Sequence, residues 1–415
     1  MALLKAFKAV RPVTELASKV AALPYDVMNS QEARSMVEGN PYSFLRIDKA
    51  EIELDPSIDI YDEKVYKKAK DNLEEMIKKG VFIKEAEDSL YIYRQRMGDH
   101  EQTGLVGCLS IDDYINDKIK KHEKTRQDKE EDRINHVYHC NANTGPIFLT
   151  YKAETEVKDI IDAWIKNNNP IYKFIADDEI EHKVWIINGK DKINRLISIF
   201  KAIDYLYIAD GHHRTASAVE VGLKKRKENP SYKGHEEFNY FLGVLFPDDE
   251  LKIMDYNRVV KDLNGNTEED FLRKVSEKFI VEQYEEQTGY KPDRKNNFGM
   301  YMRDKWYKLV AKEGIFDPHD PIDALDVSIL QNNILAPILG IGDPRVDERI
   351  DFIGGIRGIE ELKDRVDEGM AVAFSLFPTE MEDIMNIADA GKTMPPKSTW
   401  FEPKLRSGLF IHELD

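Results

Sequence analysis

Apolar positions along this chain recur in two rhythms. Between residues 61 and 79 they fall every three to four residues, as one face of a helix requires, and Gly80 ends the run. Residues 89–96 and 102–109 are instead dense in aromatic and branched side chains on either side of Met97-Gly98-Asp99-His100-Glu101, the pattern of a β-hairpin. Short apolar runs predict strands over 43–47, 147–151, 183–187, 203–209, 239–246 and 251–260. Helical spacing marks 157–166, 191–202 and the stretch after Arg214, with a capped helix start at Asn29. Helix is also expected from Ile111 through the charge-dense 117–133, stopped at Gly145-Pro146. Further on, 298–302 and 306–310 flank Arg303-Asp304-Lys305 as a second hairpin. Strands are expected at 350–353 and 371–377, and helices at 359–366 and 379–390, the last with Thr379 as N-cap and Gly391 as stop.

This order mixes strand–helix units with hairpins, so the fold class is α/β to α+β rather than a regular doubly wound sheet. At 415 residues the chain exceeds one typical core. The polar stretch 261–295 places a soft boundary there, giving a 1–260 region and a 261–415 α/β region.

Composition narrows the partners. A net charge of −17 weighs against a general nucleic-acid surface, which needs clustered Lys and Arg. No apolar run approaches membrane-spanning length, and the first ten residues are too charged for a signal peptide. Cys108 and Cys140 are the only cysteines, which excludes a disulfide framework and makes a reducing cytoplasm the expected compartment.

The richest chemistry sits where the 203–209 run breaks. Asp210, Gly211, His212, His213 and Arg214, followed by Thr215, occupy one strand-to-helix turn. A helix N-terminus offers free N–H groups to an anion, Arg adds a bidentate phosphate partner, and Gly lets backbone approach a ligand. Adjacent His212 and His213 point apart on a helix, so both binding one metal is not expected.

Four other segments stand out. Asp26, on the Pro24-restrained loop, suits a general base or a helix cap. His122 and Glu123 lie in the charge run 121–126, which by charge alone is a solvated helix face. Arg357 belongs to Phe352-Ile353-Gly354-Gly355-Ile356-Arg357-Gly358, a strand-to-helix turn that either cradles an anion or simply packs tightly. Lys397, Ser398, Thr399 and Lys404 lie on a loop stiffened by Pro395, Pro396 and Pro403.

In order, Ala22-Leu23-Pro24-Tyr25-Asp26-Val27, Lys121-His122-Glu123-Lys124-Thr125, Ile208-Ala209-Asp210-Gly211-His212-His213-Arg214, the Gly354-Gly355 turn and Met394-Pro395-Pro396-Lys397-Ser398-Thr399-Trp400 resemble a bacterial and archaeal family, domain of unknown function ten-fifteen, often labelled ParB-like. The resemblance implies a ParB/sulfiredoxin-like nucleotide-binding core with an additional C-terminal α/β region. Within that superfamily the 210–214 loop is most similar to that of free-serine kinases. Sulfiredoxin needs a catalytic Cys where His212-His213 stands, and the segregation proteins need a helix-turn-helix that this sequence does not display.

What the resemblance implies is phosphoryl transfer from a nucleotide, ATP or ADP, to a small hydroxylated metabolite, free L-serine foremost, assisted by Mg²⁺. Residues 210–215 would hold phosphates, and Asp26 or Glu123 would take the hydroxyl proton. His122, Lys397, Ser398, Thr399, Lys404 and Arg357 would bind substrate or anion. Two alternatives stay open: a non-catalytic nucleotide-binding regulator, and a metal-assisted phosphohydrolase using His212 or His213. The expected partners are a nucleotide and a small molecule, with no membrane; metal ligands are unassigned and a homodimer is left open.

Overall fold

A computed structural model of the chain describes residues 3–286 and 288–415. It is a mixed α/β structure with two compact units. The first runs to Leu251 and is completed by Pro403–Asp415; the second is Lys252–Glu402. The break thus falls nine residues before the 260/261 division expected from composition, and the last thirteen residues return to the first unit.

The first unit is built on an open, nine-stranded, mostly antiparallel sheet. Its path runs Ile119–Lys120, Leu206–Asp210, Ile147–Tyr151, Tyr240–Pro247, His100–Ser110, Leu90–Met97, Glu181–Ile187 and Tyr172–Ile175, with Leu4–Lys5 on His100–Ser110. Two pairings are parallel: Leu206–Asp210 with Ile119–Lys120, and Tyr240–Pro247 with Ile147–Tyr151. Leu90, Ile92, Leu105, Leu109, Leu149 and Phe241 form one buried layer with Val157, Ile161, Leu196 and Phe200 from the helices Thr155–Asn167 and Lys190–Ala202. Helix Glu63–Lys78 buries Val65, Tyr66, Ala69, Leu73 and Met76, the three-to-four spacing visible in the sequence. Asp62 caps its first turn, accepting from Lys64 N–H at 2.8 Å.

Four local expectations are overturned here. Residues 43–47 do not form a strand; Leu45–Asp48 is a short helix whose Leu45 and Ile47 are buried. The helix expected across 111–133 is broken into helix Ile111–Ile115, strand Ile119–Lys120, a loop and helix Gln127–Cys140. The break at 121–126 carries His122 into the interior while Lys121, Glu123, Lys124 and Arg126 stay exposed, so the run is a solvated loop with one buried histidine and not a helix face. Asp26 caps no helix: Asn29 does, accepting from Gln31 and Glu32 N–H, while Glu32 reaches back to Asn29 N–H.

The second unit is a six-stranded antiparallel sheet, in order Phe279–Tyr284, Lys305–Ala311, Asn297–Met302, Val372–Leu376, Tyr256–Val260, Ile350–Gly354. The strand expected over 251–260 is two: Lys252–Met254 pairs with Trp400–Glu402, and Tyr256–Val260 enters the main sheet. The last helix is Met381–Asp389, and its N-cap is Glu380 in a capping box with Asp383; Thr379 instead donates to Ser398 C=O at 2.9 Å. No helix of the described residues is long and apolar enough to cross a membrane.

Candidate functional site

Strand Leu206–Asp210 ends in the carboxylate, and helix His212–Glu228 begins two residues later. Gly211 joins them at φ +94°, a backbone conformation that side chains disfavour. A Cβ there would also stand 3.1 Å from the Arg214 guanidinium, which folds back over this glycine. The turn therefore requires glycine twice: for its dihedral, and for the arginine above it.

Asp210 is a held anion. Its Oδ1 accepts from Gly211 N–H at 2.9 Å, and its Oδ2 pairs with Lys404 Nζ at 3.1 Å. Burial alone would raise its pKa, but Lys404 and Arg214 hold the carboxyl well below the usual carboxylate range. The backbone of Lys404 is fixed in turn: Gln102 donates to Gln95, and Gln95 donates to Lys404 C=O at 2.9 Å.

Arg214 is largely buried and donates to Pro146 C=O at 2.5 Å, with Asp210 Oδ2 at 3.9 Å. Its Nε has no hydrogen-bond partner among the described residues. Burial works to lower its pKa, yet the charges of Asp26 and Asp210 raise it, so the guanidinium stays charged. Asp26 itself is exposed on the turn Tyr25–Val27, and it is also the largest favourable charge felt by His213.

The two histidines divide as their positions on the helix dictate. His212 points inward, with its ring edge-on to His122, centroids 4.5 Å apart. Burial, then the neighbouring His122, pushes His212 well below its ordinary pKa. Burial likewise pushes His122 down to about 4, so both rings are neutral at pH 7. His212 Nδ1 lies 3.5 Å from Glu123 Oε2, while its Nε2 is buried without a partner. His213 points outward and accepts from Arg126 N–H at 3.0 Å, which assigns its proton to Nδ1 and ties the 121–126 loop to the helix. Thr215 is buried and donates to Gly211 C=O at 3.0 Å.

Behind this turn lies a cavity of ≈ 20 Å³, room for about one water, lined by Tyr25, Asp48, Arg133, His136, Thr144 and Arg214 among others. Arg133 stacks on Tyr25, 4.0 Å from the ring centroid, and is held by Asp132 at 2.8 Å and by Asp48 C=O. Nothing in the sequence singles out Arg133, Asp48 or Thr144, because their roles arise only from the packing of helix Gln127–Cys140 beside helix His212–Glu228.

Asp26, His122, Glu123, residues 210–215 and Lys404 are thus all gathered in the first unit. Arg357, Lys397, Ser398 and Thr399 belong to the second. There Arg357 is exposed and pairs with Glu361 at 3.4 Å. Lys397 is exposed with φ +58°, its carbonyl accepting from the buried Arg258 at 2.9 Å and its ammonium 5.5 Å from the Tyr256 ring centroid. Ser398 donates to Pro395 C=O. The Gly354-Gly355 turn is a packing device: a Cβ on Gly354 would meet Trp400 at 3.0 Å, and one on Gly355 would meet Asp255 at 2.4 Å. Among the described residues no group of three His, Cys, Asp or Glu side chains is placed to hold a metal ion.

The family described as "Protein of unknown function (DUF1015)" matches residues 4–328. The chain belongs to this family. A search of curated proteins gave no match. Among solved structures, a free serine kinase in complex with AMP is 14% identical with a TM-score of 0.36, covering 73% of this chain and 90% of that one. A conserved hypothetical protein from Pyrococcus furiosus is also 14% identical, with a TM-score of 0.35 and coverages of 73% and 93%. SbnI with a C-terminal truncation, from Staphylococcus aureus, is 10% identical with a TM-score of 0.39 and coverages of 73% and 85%. At this degree of likeness no residue's role in this chain rests on them.

Proposed function

We propose that this protein transfers a phosphoryl group from a nucleotide, ATP or ADP, to a small hydroxylated metabolite, with free L-serine the leading acceptor, on a ParB/sulfiredoxin-like core. The observation that carries the reading is one turn. At the N-terminus of the long helix His212–Glu228, a charged Arg214 with an unpartnered Nε lies beside the free backbone N–H groups of the first helical turn. That set is built to donate to phosphate oxygens. The sequence likeness of the 210–214 loop to that of free-serine kinases points the same way.

Phosphoryl transfer asks for positioning and charge neutralisation more than for covalent chemistry. Arg214 and the helix amides, that of His212 among them, would bind the phosphates, and Lys404 would stay with Asp210, keeping that carboxylate from repelling them. Asp26 would take the acceptor's hydroxyl proton as its oxygen bonds to the terminal phosphorus and the bridging P–O bond to the nucleotide breaks. Asp26 suits this better than Glu123, because it is exposed and no described residue hydrogen-bonds to it, whereas Glu123 faces His212. Mg²⁺ would neutralise phosphate charge; with no three-residue ligand set among the described residues, it would take ligands from the nucleotide as well.

The test is calorimetric titration with ATP and ADP plus Mg²⁺, followed by a transfer assay on L-serine and a panel of hydroxy metabolites. Binding and transfer together support the reading. Tight binding with transfer to no acceptor assigns the chain to nucleotide-dependent regulation instead, and no binding removes the phosphate site.

A further inference from the structure

The turn Tyr25–Val27 has two faces. Tyr25 lines the polar cavity that contains Arg214. On the other side, Leu23, Val27, Met28 and Met36 line an open hollow of ≈ 420 Å³, with Glu32 and Ser35 as its polar members. Val27 and Met36 are among the few large apolar side chains left exposed, at 37% and 49%, and both border this one hollow. Between the two faces stands Asp26, close enough to dominate the favourable charge on Arg214 and His213.

We propose that this hollow is the subsite for the planar base of the nucleotide, an inference that rests on the phosphate reading of the 210–214 turn. A nucleotide joins a polyanion to a flat, weakly polar ring, and the residues about the turn follow the same order: the Arg214 guanidinium beyond Tyr25, and the apolar hollow at Val27 and Met28. The hollow's volume lies in the range of small-molecule pockets, ~300–1,000 Å³. Its two methionines offer polarisable sulfur, which favours contact with aromatic rings. A small polar acceptor such as serine has no apolar surface to bury there, so the base is the better occupant. Glu32 Oε2 is already engaged by Asn29 N–H at 2.8 Å, which fixes that carboxylate at the helix start.

The experiment compares two probes on the full chain, ADP and inorganic pyrophosphate, titrated calorimetrically in one Mg²⁺ buffer. Met36→Glu should weaken ADP about tenfold and leave pyrophosphate within about twofold, since only ADP carries a base to bury. Met36→Leu should restore ADP binding, and Arg214→Lys should weaken both probes. In methyl-labelled methionine spectra, ADP should shift the Met28 and Met36 signals by ring current, and pyrophosphate should not. This measurement stands even where Met36→Glu proves unstable. Unchanged ADP affinity in Met36→Glu with silent methyl signals overturns the base subsite alone. Equal loss of both probes in that variant does the same, because it makes Met36 a structural residue. A wild-type chain that binds neither probe overturns the phosphate site and the base subsite together.

Discussion

Arg214 concentrates the electrostatics of the site in one side chain: largely buried, charged, and bonded to a backbone carbonyl with a donor to spare. Arg214→Lys keeps the charge but loses the planar fork. It should weaken nucleotide binding by about 1–3 kcal/mol, as loss of a charge-assisted hydrogen bond does; calorimetry showing wild-type affinity would remove Arg214 from the phosphate contacts. Asp26 is tested by the opposite pattern. Asp26→Asn keeps the shape but cannot accept the proton, so nucleotide affinity should hold while transfer falls by at least about 10²-fold. At this scale much was legible. A carboxylate, a glycine, two imidazoles and a guanidinium in one turn mark themselves by type alone. Arg133 and Asp48 did not, because burial and stacking are made by distant helices and leave no trace in spacing.

At the scale of elements, Gly211 links strand to helix through a left-handed residue beneath a guanidinium. Gly211→Ala should cost about 1–3 kcal/mol for the dihedral and displace Arg214 as well, so reduced denaturant stability should accompany lost phosphate binding. Helix Asp326–Leu330 of the second unit makes a pH prediction. Asp326 is buried, its Oδ1 accepts from Asn296 N–H at 2.8 Å, and burial raises its pKa to about 7 against the hydrogen bond from Asn296 and the charge of Lys295. The folded state therefore holds this proton where the unfolded chain releases it. Its stabilising contribution is complete below about pH 4, declines as pH rises to about 7, and is absent above, a change of a few kcal/mol. Asp326→Asn should flatten stability over that window and raise it at pH 8; an unchanged pH profile would count against a protonated Asp326. Long periodic elements such as Glu63–Lys78 and the hairpin Leu90–Met97 with His100–Ser110 were readable from pattern. The 121–126 break was not: six polar residues in a row look solvated, and only tertiary packing against His212 draws His122 inside.

At the scale of the whole molecule, the second unit is an insertion in the first. The sequence hid this, because composition shows where polarity changes and not where a chain returns; Pro403–Asp415 looks like a tail, yet carries Lys404 to Asp210 and pairs His412 with Asn143. The insertion's first and last strands are paired, with Lys252 directly opposite Glu402. Leu251 and Pro403 are each one residue from that pair, where facing Cα atoms stand only about 5 Å apart. Residues 252–402 should therefore be removable, with a short Gly/Ser linker closing the gap at little entropic cost. Asp210, His212, Arg214, Lys404 and Asp26 all remain in the excised protein. It should fold cooperatively and bind pyrophosphate within about threefold of the full chain, a difference under 1 kcal/mol. Comparing transfer to serine in the two proteins then assigns the second unit its part. Binding kept with transfer lost would show that transfer needs residues 252–402, the unit that holds Arg357, Lys397, Ser398 and Thr399. Binding lost from a folded excised protein would show that the phosphate site is not complete in the first unit.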